Sequence, residues 1–128
     1  MPLRAFVLGV LLCAAGCMPV EFQARDGSYG MISTTARQHD SREVVIELFG
    51  ALVQKARTLV AWARVAGPPE STRRLGLLAH RPISPIEDQG LLRASVPRTP
   101  LDVLITVESS ADVDHPSGDI VATAHLGQ

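Results

Sequence analysis

Glu108, Asp112, Asp114 and Asp119 crowd one short stretch of the chain, ESSADVDHPSGD. Carboxylates at this density are the raw material of a site for a hard cation such as Ca²⁺, which takes roughly six to eight oxygen ligands. The spacing departs from the EF-hand rule, because Pro116 stands where a third ligand belongs and the glycine, Gly118, comes late. A solvated loop of turn-forming Asp, Pro, Ser and Gly accounts for the same residues without a ligand, so no metal is expected. The four histidines, His39, His80, His115 and His125, are scattered, and no two share a zinc-type spacing. The chain has no G-x-S-x-G, no phosphate loop and no G-x-G-x-x-G. No catalytic residue and no cofactor follow from these patterns, and the expectation is a protein that is not an enzyme.

The remaining reactive side chains are the two cysteines, Cys13 and Cys17, both near the start. They sit in MPLRAFVLGVLLCAAGC, where Arg4 precedes an apolar run from Ala5 to Ala15 and no acid occurs before Glu21. A basic start, a short apolar stretch and small residues at the end are the marks of an export signal. The run is shorter than the roughly 20 residues a transmembrane helix needs. The end of this leader, LCAAGC, resembles the lipobox of bacterial lipoproteins. Ala15 and Gly16 fit the two positions before the obligatory cysteine, while Ala14 stands where the family usually has Leu. The resemblance covers only about the first 19 residues. It implies a diacylglyceryl group on the sulfur of Cys17 and a cut just before it. The membrane is then the first partner, reached through lipid on Cys17. Met18 follows the cysteine, where Asp in Gram-negative members commonly signals inner-membrane retention, so the resemblance implies the outer membrane in such an organism.

Two plainer readings stay open. Ala14-Ala15-Gly16 also suits an ordinary signal peptidase, which would leave a free secreted or periplasmic protein with Cys17 at its N-terminus. Alternatively, the leader stays on as a weak anchor. In either cleaved form Cys17 is the only cysteine left, so an internal disulfide and a cysteine-based metal site are both excluded.

Cleavage before Cys17 leaves 112 of the 128 residues, enough for one small domain. Large side chains are few: Trp62, Tyr29, Phe22 and Phe49 are the aromatics beyond the leader. The formal net charge of −1 is unevenly placed. Residues 37–98 carry ten Arg or Lys against six acids, whereas residues 99–128 carry five acids and no Arg or Lys. Two oppositely charged faces that attract each other are the plain reading. A basic middle that touches anionic lipid or peptidoglycan is the sharper one. Near-zero net charge and an export signal argue against nucleic acid.

Residues 1–16 are thus read as a signal peptide, 17–39 as a lipid-anchored tether and 40–128 as a small α+β domain. Short strands are expected near Val20–Gln23 or Met31–Thr35, with a turn at DGSYG, 26–30. Over 41–66, Val45, Leu48, Phe49, Leu52, Ala56, Leu59, Val60 and Ala63 recur at helical spacing. Asp40 or Ser41 can cap that helix, and Gly67-Pro68-Pro69 can stop it. Its charged face argues against a membrane span. A short helix is expected over Glu70–Ala79 and a strand in LLRASV, 91–96. LDVLITVE, 101–108, and DIVATAHL, 119–126, alternate and are rich in β-branched residues, so they read as an antiparallel hairpin. The expected fold class is therefore α+β, one long amphipathic helix packed on a small antiparallel sheet. The expected function is an exported, membrane-anchored lipoprotein with a non-enzymatic structural or assembly role among envelope proteins. The alternative is an unlipidated periplasmic or secreted binding protein for a small ligand or ion.

Overall fold

From Ser41 to Phe49 the chain runs as a strand in which Arg42, Val44, Ile46 and Leu48 are buried and the residues between them are half-buried. This strict alternation is the period of a pleated strand, whose side chains point to opposite faces in turn. The computed structural model describes residues 18–25, 27–50, 53, 58–65, 71–85 and 87–127. Among them lie ten strands: β1 (Val20–Glu21), β2 (Gln23–Ala24), β3 (Tyr29–Arg37), β4 (Ser41–Phe49), β5 (Leu59–Val65), β6 (Ser71–Leu77), β7 (Ala79–Ser84), β8 (Glu87–Pro97), β9 (Leu101–Val107) and β10 (Ile120–Leu126).

The strands form two antiparallel sheets, ordered β1-β3-β4-β8-β7 and β2-β10-β9-β5-β6. Their inner faces share one core, in which Ile32, Val44, Ile46 and Leu48 of the first sheet join Ala61, Val103, Ile105 and Ala122 of the second. The fold is a β-sandwich, and both of its sides are turned by chain that passes from one sheet to the other. Phe22 sits at the corner between β1 and β2, and Leu78 at the corner between β6 and β7. Each buries its side chain in the core and keeps its backbone bonded, Phe22 N–H to Gly30 C=O at 3.0 Å and Leu78 N–H to Leu59 C=O at 2.8 Å. Such corners let one strand serve two sheets without orphaning its backbone groups.

This architecture overturns the expected α+β class. The long amphipathic helix expected over 41–66 does not form: its two ends are β4 and β5, and residues 51–52 and 54–57 between them lie outside the described residues. Apolar residues are so dense here that they satisfy a helical period and a strand period together. Val44, Val45 and Ile46 carry the deciding physics, because β-branched side chains lose rotamer freedom in a helix and pack well on a pleated surface. Gly50 ends β4 with φ +107°, and a Cβ there would stand 2.9 Å from the Gly27 carbonyl oxygen.

The short helix expected over Glu70–Ala79 is likewise strand, β6 running into β7. Pro82 is accommodated because β7 is an edge strand. Residues 20–37, expected as a tether with short strands, make up β1, β2 and β3 and belong to both sheets. LLRASV lies within β8. The stretches 101–108 and 119–126 pair antiparallel as β9 and β10, with a bulge between Ile120 and Ala122.

Candidate functional site

Strand register brings three polar side chains together on the outer face of the second sheet. Arg64 of β5 lies opposite Asp102 of β9, and Asp102 lies opposite His125 of β10. Arg64 Nη2 donates to Asp102 Oδ2 at 3.2 Å, and His125 Nδ1 lies 2.8 Å from Asp102 Oδ1. The hydrogen bond to His125, and after it the bond and charge of Arg64, hold the Asp102 carboxyl below its ordinary range against the opposing effect of burial. The three residues line an open groove of about 410 Å³, together with Leu104, Thr123 and the Val20, Glu21 and Gln23 side chains of β1 and β2. The groove offers both signs of charge and amide and hydroxyl groups over a small apolar floor. That chemistry suits a polar ligand or a polar protein surface.

The acidic loop that follows β9 is organised by one carboxylate, Glu108. It is 5 % exposed and accepts hydrogen bonds from the Thr106 hydroxyl at 2.6 Å, the Ser117 hydroxyl at 2.7 Å, and the Ser117 and Gly118 N–H groups at 3.2 Å each. Burial opposes its charge, but these four donors outweigh burial and bring its pKa down to about 2. Thr106 in turn accepts from Trp62 Nε1 at 2.8 Å. A chain of bonds thus runs from the sheet to the loop. Val113 of the loop packs on Val60, Trp62 and Leu104, and Arg74 Nη1 fastens the Val113 carbonyl at 2.6 Å. The loop is a lid over the outer face of β5 and β9, which explains why β5 is buried on both faces.

The residues singled out as cation ligands do not gather. Asp112, Asp114 and Asp119 are exposed, and Asp114 pairs with its neighbour His115 at 2.7 Å. Among the described residues no group of three or more His, Cys, Asp or Glu side chains is placed to hold a metal ion. The histidines stand apart, each beside a single acid: His39 by Asp40, His80 by Asp88, His115 by Asp114 and His125 by Asp102. Cys17, the expected point of lipid attachment, lies outside the described residues.

Sequence reading missed the Arg64–Asp102–His125 row, because it depends on which strands are neighbours. The uneven charge was its only trace, since the basic middle and the acidic last third meet across β5 and β9. Among the described residues no helix is long and apolar enough to cross a membrane. No family model, curated protein or solved structure matches this chain.

Proposed function

We propose that this chain is an exported protein held at a membrane by lipid on Cys17, and that its β-sandwich has a non-enzymatic structural or assembly role in the cell envelope. In a Gram-negative organism the membrane is the outer one. The observation that carries this reading is the leader itself, an apolar run that ends in small residues at Cys17. On this reading the anchor needs no spanning segment, since each acyl CH₂ contributes about 0.8 kcal/mol and more than one chain on a single cysteine holds stably. The anchor would also keep the sandwich close to the bilayer, with the groove beside β1 and β2 offered to a neighbouring envelope protein.

The test is the mass and partition of the mature protein. A mature N-terminus at Cys17 with a diacylglyceryl mass increment is expected, as is release of the Cys17→Ser variant into the soluble fraction. A polypeptide that keeps residues 1–16 overturns the lipid anchor on Cys17. An unmodified Cys17 at the new N-terminus overturns the anchor and favours the second reading, an unlipidated binding protein. The groove of Asp102, His125, Arg64 and Glu21 is the observation that favours that second reading.

A further inference from the structure

At the end of the first sheet where β3 runs into β4, the inner face changes from apolar to basic. Arg37 of β3 lies directly opposite Arg42 of β4, and Val96 of β8 lies opposite Arg42 on the other side. Arg42 occupies the next inward position after Val44, Ile46 and Leu48, and is only 3 % exposed. Its Nε and Nη2 are buried and have no hydrogen-bond acceptor in the protein. Arg98 closes the same end, with its N–H on the Asp40 carbonyl at 3.2 Å and its Nη1 on the Gln38 carbonyl at 2.9 Å. Asp40 is almost fully exposed and faces His39, and Glu43 stands at the alternate, outward position of β4. Neither neutralises Arg42.

This arrangement is costly as it stands. Like charges directly opposite on neighbouring strands repel, and a buried donor left unbonded costs more than a bond is worth. Burial, and then the charges of Arg37 and Arg98, pull the Arg42 pKa down from its ordinary value. The two unbonded nitrogens are also a matched pair. Nε–H and Nη2–H leave the guanidinium on the same edge and point the same way. That edge takes the two oxygens of a carboxylate, phosphate or sulfate side by side.

We propose that Arg42 is the core of an oxyanion-binding site, taking two oxygens of a phosphate-like or carboxylate group on its Nε–Nη2 edge, with Arg37 and Arg98 supplying the surrounding positive charge. The site stands on the sandwich alone and does not depend on the lipid anchor. β1 runs antiparallel to β3 with Val20 opposite Ile32 and Glu21 opposite Met31, so the start of β1 faces the Arg37 end of β3. A membrane attached ahead of β1 would therefore meet this end of the sandwich. Lipid headgroup phosphate and free phosphate are the two sources of the same chemistry.

The test uses the chain from residue 17 onward, with Cys17→Ser, titrated with inorganic phosphate at constant ionic strength set by chloride. A saturable rise in Tm is expected, about 5 °C or more at phosphate near ten times Kd. Arg42→Lys keeps the charge but loses the two-pronged edge, and should weaken the phosphate response at least tenfold. Arg98→Gln, on the rim, should weaken it several-fold while leaving the fold intact, which keeps the test decisive if an Arg42 variant fails to fold. Flotation with vesicles of phosphatidylcholine, with and without phosphatidylglycerol, separates the sources. Arg42-dependent flotation with the anionic vesicles assigns the headgroup, and a phosphate response without flotation assigns the free anion. A wild-type Tm that does not distinguish phosphate, sulfate and acetate from chloride overturns the site. So does an Arg42→Lys variant that responds like wild type.

Discussion

Glu108 is a buried carboxylate kept ionised by hydroxyl and N–H donors, and its effect on stability has a definite sign. Its pKa falls from 4.5 in the unfolded chain to about 2 in the fold. The folded state therefore binds fewer protons than the unfolded state across that interval. Its contribution is fully present above pH 4.5 and is lost as the pH falls toward 2. Asp102, held down by His125 and Arg64, acts in the same direction, although its partial exposure lets solvent screen it. Urea denaturation followed from pH 6 to pH 2.5 should show stability falling through this window. Glu108→Gln should flatten much of that dependence and lower stability at pH 7 by about 1–3 kcal/mol, because the donors around it lose their charged partner. Beside it, a Cβ on Gly118 would lie 1.7 Å from the Val107 carbonyl oxygen. Gly118→Ala must push the loop off the end of β9, and a loss of roughly 2 kcal/mol or more is expected in the same denaturation assay.

The loop between β9 and β10 behaves as an element in its own right, although it has no regular structure. It is held at one end by Glu108, in the middle by the Arg74–Val113 bond, and below by contact of Val113 with Trp62. Trp62 is fully buried and is the only tryptophan, so its fluorescence reports the lid directly. Arg74→Met should leave the main unfolding transition within a few degrees of wild type while raising acrylamide quenching of Trp62, because one fastening goes and the core between the sheets stays. Unchanged quenching would show that Arg74 does not hold the lid. The regularity of β4 belongs to this scale too. Its alternation is complete over nine residues, yet the inward series begins with Arg42, a charge on an otherwise apolar face. An apolar residue would suit packing better there, which marks Arg42 as a position that serves binding at a cost in stability.

Across the whole molecule, the pairings that close the sandwich join distant parts of the chain: β4 with β8, β5 with β9, and β2 with β10. Loops of this length must close before their contacts form, so folding is expected in milliseconds to seconds rather than microseconds, which stopped-flow fluorescence of Trp62 can measure. Several local features were legible in the residues alone. The alternation of β9 and β10 follows from side chains that point to opposite faces, and the connection between them is rich in turn-forming residues. Of the uneven charge, the Arg64–Asp102 ion pair is what joins the basic middle of the chain to its acidic last third among the described residues. The proposed leader and lipid on Cys17 rest on the linear sequence alone. Tertiary structure decided the rest. Residues 41–66 satisfy a helical and a strand period together, and only neighbours able to pair their backbone groups on both sides choose between them. The Arg64–Asp102–His125 row, the donors gathered on Glu108 and the inward-facing Arg42 all depend on register, and register is settled by which faces of the two sheets must be buried against each other.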